Sequence, residues 1–226
     1  MKPIVVVLSC CAKDVHLAEL WLKRAAKLAT VDRPPYPLVL FGDSDIPFKT
    51  WQALGTCGFA RGVMQVGCRP KPGEEYPWAA NHQFLEALKW CEEHRAGHPI
   101  LWAEADTVLM RPKWYEEISA EYAACGRPFM GTHVNAHFTP HLAGCAVYPP
   151  NWRELAPSLA VLEGRAWCEA FDTACAHEIY PQSRQARTFQ QMWHPPRFTR
   201  KLAAKIRPEV AFFHQCKDGT LYHYLK

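Results

Sequence analysis

The sequence has no Cys-x-x-Cys pair, although it holds ten cysteines, at 10, 11, 57, 68, 91, 125, 145, 168, 175 and 216. Zinc ribbons and thioredoxin-like redox centres need that spacing, so neither is expected. It has no long apolar run either. Pro3-Ile4-Val5-Val6-Val7-Leu8 is far short of the roughly 20 residues a spanning helix needs, and Lys13 and Asp14 follow closely. The longer apolar core of a signal peptide is missing, so a cytosolic chain with reduced, mostly buried thiols and no membrane insertion is expected. No internal repeat or low-complexity tract occurs. Charged residues make up only 21% against 49% apolar, which excludes a disordered or collagen-like chain. What remains is 226 residues with 9 Trp and 19 Pro, enough for one α/β unit with many fixed turns.

Along the chain, Ile4–Ser9 is a β-branched apolar run, and apolar residues at 17, 20, 21, 25 and 28 then recur at helical spacing. Arg33-Pro34-Pro35 interrupts, and Leu38–Phe41 reads as a second buried strand ending in Gly42-Asp43-Ser44-Asp45. Strands are expected again at 62–66, 99–102, 129–131, 143–148 and 210–213, and helices at 78–94, 114–124, 152–163 and 166–178. This alternation predicts a Rossmann-like, mainly parallel central sheet with helices on both faces. Ligands of such sheets sit beyond the carboxyl ends of the strands, which places 10–14 and 42–45 at a ligand edge.

Glu104-Ala105-Asp106 follows the run Pro99-Ile100-Leu101-Trp102. On extended chain, residues i and i+2 face the same side, so both carboxylates should address one point beyond the strand. Two adjacent carboxylates repel unless a cation or proton lies between them. Hard cations such as Mn²⁺ or Mg²⁺ take carboxylates together with substrate phosphates, so a metal-bridged nucleoside diphosphate fits this spacing. Near the other end, His214 can complete a metal shell, Lys217 can meet a phosphate as a mobile point charge, and Gly219 permits a tight turn.

With that order of features the sequence resembles the GT-A nucleotide-sugar glycosyltransferases. Ile100 to Val108 through Pro112-Lys113-Trp114, Gly131-Thr132-His133-Val134, Ala146-Val147-Tyr148-Pro149 and His214 to Gly219 are similar to small phage-type members, a resemblance that extends to DNA-modifying ones. The resemblance implies a nucleotide-sugar donor, most simply a UDP-sugar, with Asp106 and His214 as metal contacts and Lys217 neutralising the leaving diphosphate. The first acid is Glu rather than Asp, and the resemblance gives Glu104 the donor's ribose or a metal-bound water, close to the chemistry. Cys10, Cys11, Ala12 and Lys13, with Asp43, would meet the nucleoside. Asp172 stands where this fold puts a carboxylate near the acceptor, and there it would take the acceptor hydroxyl's proton. Glu169 competes for that role.

His133, His137 and His141 recur at intervals of four, the spacing of a metal-binding helix face, but Gly131 and Thr139-Pro140 argue for a loop. His133 and His141 read better as polar residues of the acceptor pocket. The net charge of +4 hides an asymmetry: residues 181–226 carry nine Lys/Arg and two acids, a net +7, whereas residues 1–180 carry −3. We therefore divide the chain into a catalytic part, 1–180, and a basic segment, 181–226, that completes the site within the same domain. Arg197, Arg200 and Lys201, interleaved with Phe189, Trp193 and Phe198, suit a polyanionic acceptor. With the phage-like resemblance this favours the hydroxyl of a 5-hydroxymethylpyrimidine in DNA. A cell-envelope glycan, lipid or protein is the other acceptor class. A nucleotidyltransferase is a third reading, disfavoured because Ser9-Cys10-Cys11-Ala12-Lys13 contains no glycine.

Overall fold

The apolar runs become strands buried on both faces. The computed structural model describes residues 2–30, 33–68, 77–135, 139–161, 169–192 and 197–225. In it β1 (Val5–Cys10) pairs in parallel with β2 (Leu38–Asp43), and β2 in turn with β3 (Val63–Cys68). On its other side β1 pairs in parallel with β4 (Ile100–Glu104). Alternate side chains of β1 enter different cores. Val6 and Leu8 join Leu17, Trp21 and Leu22 of helix α1 (Val15–Ala29), whereas Val5 and Val7 join Phe84, Leu85 and Leu88. The amphipathic helix α2 (Phe48–Gly55) leads into β3, and α3 (Trp78–His94) carries that second apolar face. Complete burial of each such Val or Leu contributes about 1.5–3 kcal/mol, so the central strands anchor the fold.

Beyond β4 come β5 (Val108–Leu109), helix α4 (Trp114–Ala124), β6 (Phe129–Val134), β7 (His141–Tyr148) and β8 (Ser183–Gln185). The main sheet has the order β3-β2-β1-β4-β7-β6-β8, and only β7 runs against the others. A small second sheet places β10 (Phe212–His214) between β5 and β9 (Phe189–Gln191). The expected architecture is therefore present: a mainly parallel sheet with helices on both faces. Within the segment from 181 onward, β8 extends the main sheet while β9 and β10 join β5 in the second.

Several local expectations need correction. The helix expected over 152–163 is, over its described residues, two one-turn pieces, Trp152–Leu155 and Pro157–Ala160, divided at Ala156, with 162 and 163 outside the described ones. Pro157 forces this, since the residue before a proline is pushed out of helical geometry and Ala156 sits at φ −142°, ψ 67°. The helix expected over 166–178 is likewise broken at Cys175 into Phe171–Ala174 and Ala176–Ile179, with its first three residues outside the described ones. The segment around His133 and His141 is not a loop at these two residues, which lie on β6 and β7. There the ladder pairs His133 with Leu142 and Val134 with His141, so the two imidazoles fall on opposite faces and cannot share a metal. His137, Trp193 and Cys168 lie outside the described residues. The other nine cysteines are free thiols, and Trp102 and Trp114 are core residues.

Glu121 of α4 ties the second sheet to the first. Its carboxylate accepts from the backbone N–H of Arg187 (2.7 Å) and Thr188 (3.0 Å) and from the Thr188 hydroxyl (2.6 Å). Burial alone would raise its pKa, but these donors hold it below the ordinary glutamate value. A depressed carboxylate stabilises the fold above its unfolded pKa and loses that contribution as pH falls through the folded value. Glu121→Ala should cost about 1–3 kcal/mol at neutral pH. The deficit should shrink in acid below about pH 4, read by urea unfolding of both proteins across that range.

Candidate active site

Two sheets deliver their strand ends to one place. β4 ends at Glu104, and the chain turns at once: the Thr107 N–H and hydroxyl both donate to the Glu104 carbonyl, at 2.9 and 2.7 Å. Asp106 therefore sits in a turn rather than on extended chain, as the i, i+2 argument assumed. Both carboxylates nonetheless reach the same partner, His214. The closing segment grips this turn from the other side. Cys216 N–H donates to the Asp106 carbonyl at 2.9 Å, and the Tyr222 hydroxyl to that of Thr107 at 3.2 Å, across 115 residues of sequence. From α1, the buried Arg24 guanidinium donates to the Leu109 and Met110 carbonyls, both at 3.2 Å.

At the end of β10, His214 Nε2 lies 3.3 Å from Glu104 Oε2 and 3.2 Å from Asp106 Oδ1. Lys217 Nζ lies 2.8 Å from Asp106 Oδ2. Between them Gln215 takes φ +87°, a conformation disfavoured for a side-chain-bearing residue, so the chain is held under strain where it carries His214 and Lys217 into place. His214 is aligned from behind. Its register partner Gln191 offers Oε1 to Nδ1 at 3.1 Å, so Nδ1 donates and Nε2 is left to face the acids.

Burial opposes ionisation of Asp106, but His214 and then Lys217 outweigh it and hold the carboxyl well below the usual range. Burial opposes charge on His214 too, yet Cys145 and Asp106 beside it raise its pKa well above the ordinary imidazole value. Because burial pushes the Cys145 thiol up to about 11, Asp106 supplies the negative charge at neutral pH. Both Asp106 oxygens and His214 Nε2 are buried without a hydrogen bond of ordinary geometry, although they are ion-paired. Two carboxylates flanking one imidazole nitrogen form a donor set whose chemistry suits a divalent cation in place of the imidazole proton.

Asp172 belongs to the same neighbourhood. Between the pairs Gly131–Ala146 and His133–Leu142, β7 carries Ala143, Gly144 and Cys145 against a single residue, Thr132, on β6. This bulge frees the Gly144 N–H to donate to Asp172 Oδ2 at 3.1 Å, and Thr173 N–H donates to Oδ1 at 2.9 Å. A methyl group on Gly144 would lie 3.6 Å from Asp172 Oδ2 and 3.7 Å from Glu104 Oε1, so both carboxylates border one glycine-sized gap. His141 Nε2 stands 4.0 Å from Asp172, and its Nδ1 contacts the Thr139 carbonyl at 2.9 Å. Burial raises the Asp172 pKa, with His141 opposing and Glu104 reinforcing the shift.

The remaining expected residues divide. Cys10 ends β1, its carbonyl taken by Gln83, while the Cys11 N–H donates to Asp14 and the Ala12 N–H to Asp45. Lys13 is exposed, and Asp43 ends β2 with Oδ1 buried and lacking a hydrogen bond. These residues share the carboxyl edge with Glu104. His133 does not join them. It is bound to Ser183 at 2.8 Å and packed on Tyr180 at 4.7 Å between ring centres, toward the β8 edge of the sheet. Arg197, Arg200 and Lys201 are exposed and make no contact with the acids, but Phe198 between them packs edge-on against Phe213, next to His214. Sequence reasoning missed Gln191, Gly144 and Cys145. Only their neighbourhood in space marks them.

No protein-family model matches this chain, and no curated protein sequence matches it. Solved structures do. The WbbM bifunctional glycosyltransferase superposes with a TM-score of 0.65 at 9% identity, over 94% of this chain and 45% of its own. Mouse xyloside xylosyltransferase 1 gives 0.58 at 10% identity, over 95% and 98% of the two chains. The galactosyltransferase LgtC, crystallised with donor and acceptor sugar analogues, gives 0.54 at 13% identity, over 94% and 87%. The chain thus spans less than half the length of the first of these and most of the other two. Taken with the strand order and the site at the carboxyl edge, the protein has the fold of the GT-A glycosyltransferases.

Proposed function

We propose that the protein transfers a sugar from a nucleoside diphosphate-sugar, most simply a UDP-sugar, to a hydroxyl acceptor with Mn²⁺ or Mg²⁺ bound. The observation that carries this reading is that Glu104 and Asp106 both stand within 3.3 Å of His214 Nε2, with Lys217 on the other Asp106 oxygen. A divalent cation held by these three would offset the charge that develops on the departing diphosphate. Lys217, exposed and ion-paired with Asp106, swings to the same diphosphate as a point charge. Residues 10–13 and Asp43 line the edge where the nucleoside would lie. Asp172 takes the acceptor hydroxyl's proton, its burial giving it a basicity above that of an ordinary aspartate. Glu104, so near His214 Nε2, belongs with the metal rather than with the ribose.

For the acceptor we propose a 5-hydroxymethylpyrimidine in DNA. Its support is the exposed Arg197, Arg200 and Lys201, seated by Phe198 beside the site, and the net +7 of residues 181–226. The test incubates the protein with Mn²⁺, a panel of UDP-sugars and plain DNA, hydroxymethylated DNA or simple oligosaccharides, and weighs the digested products. A hexose or pentose mass gain on the modified base alone supports both parts. A gain only on oligosaccharide removes the DNA acceptor and keeps the transferase, and no gain with any donor overturns the reading.

A further inference from the structure

The acids are not the only ligands around His214. Cys145, on the bulged stretch of β7, brings a thiol to the same imidazole. Sγ of Cys145, a carboxylate oxygen of Glu104 and a ring nitrogen of His214 all lie within 4.8 Å of one another. Ligand atoms around a tetrahedral zinc ion are about 3.4–3.6 Å apart, given bonds of about 2.0–2.3 Å, so contraction by about an ångström would close the set. His214 Nε2 is buried without a hydrogen bond of ordinary geometry and stands 3.3 Å from Glu104 of the trio, with Asp106 at 3.2 Å on its other flank; Cys145 and His214 are almost wholly buried. Asp106 lies outside this trio and is held by Lys217.

We infer that the site has two overlapping ligand sets. The oxygen-rich one, Glu104–Asp106–His214, suits a hard cation. The other, Glu104–Cys145–His214, takes a thiophilic divalent cation such as Zn²⁺. Thiolate ligands favour Zn²⁺ over Mn²⁺, and divalent affinity rises from Mn²⁺ toward Zn²⁺ in any case. Binding displaces the thiol proton to solvent and leaves one tetrahedral position open. An ion seated there draws Glu104 and His214 away from Asp106, so Zn²⁺ competes with the metal that supports transfer. This inference rests on reading the acids and His214 as a metal centre, but not on the donor or the acceptor.

Co²⁺ reports on this centre without any turnover. Titrated into the metal-free protein, it should give a near-ultraviolet thiolate-to-cobalt charge-transfer band together with tetrahedral d–d absorption. Cys145→Ser should abolish the band, and in calorimetry it should lower the Zn²⁺-to-Mn²⁺ affinity ratio at least about tenfold. Asp106→Asn should keep the band, although the proposed transferase chemistry requires that residue. Co²⁺ binding without a charge-transfer band overturns the inference, as does a band that survives Cys145→Ser and so belongs to another cysteine. Neither result touches the transferase reading, which fails only if Mn²⁺ and a donor give no transfer.

Discussion

Asp106→Asn should lower sugar transfer at least about a thousandfold while leaving the chain folded. The substitution keeps the side chain's size but removes the charge that His214 and Lys217 both address, at 3.2 and 2.8 Å. The loss combines a weakened cation site with a misplaced lysine, each worth about two orders of magnitude or more where charge develops on a leaving group. A thermal melt separates this from misfolding. Mn²⁺ with UDP should raise the melting temperature of the natural chain, as any ligand of the folded state does, and should leave the Asn variant unmoved. Transfer within tenfold of the natural rate would show that the acids do not organise the metal.

Asp172→Asn should cost about 10²–10⁴ in turnover, the usual worth of a positioned base, with donor affinity unchanged. Its amide oxygen can still accept from Gly144 or Thr173, so the bulge in β7 should persist and the melting temperature should fall little. The sharper readout is pH. Burial holds the Asp172 pKa above that of a free aspartate, so activity should rise with pH through a limb displaced upward from the ordinary value. That limb should vanish in the Asn variant. A loss of less than tenfold with the limb intact would remove Asp172 from the chemistry and turn attention to His141, 4.0 Å away.

How much of this was legible in the sequence depended on how local the cause was. Ile4 to Leu8 and Leu38 to Phe41 announce themselves as buried strands because β-branched runs of that length have little else to become. Glu104 and Asp106 could be singled out because the apolar run before them fixes where the sheet edge falls. Of the second sheet only β10 left a trace, as the apolar run expected at 210–213; β5 and β9 are two and three residues long, too short for any periodicity to register. Reversal of β7 was equally hidden, since strand direction is set by connection geometry rather than by composition. The late His214 and Lys217 were singled out by residue type and spacing and given their roles by resemblance, but Gln191, which orients His214, had no signal beyond being an ordinary polar residue. Cys145 was one of ten thiols, and only its position opposite His214 distinguishes it. His133 shows the converse error, a residue of suggestive type placed by its strand at Ser183 and Tyr180 instead of at the site.

The 115-residue span between Thr107 and Tyr222 has a meaning in time as well as in space. A ribosome adding about 5–20 residues per second needs on the order of ten seconds to travel from one to the other. For nearly all of that interval β1, β2 and β4 can already be paired, with Glu104 and Asp106 displayed at their open edge and neither His214 nor Lys217 yet made. The nascent chain therefore passes through a stage in which its two acids are mutually repelling and answered only by solvent and whatever ions it contains. Assembly of the β5–β9–β10 sheet ends that stage, which makes completion of the site one of the last events of folding.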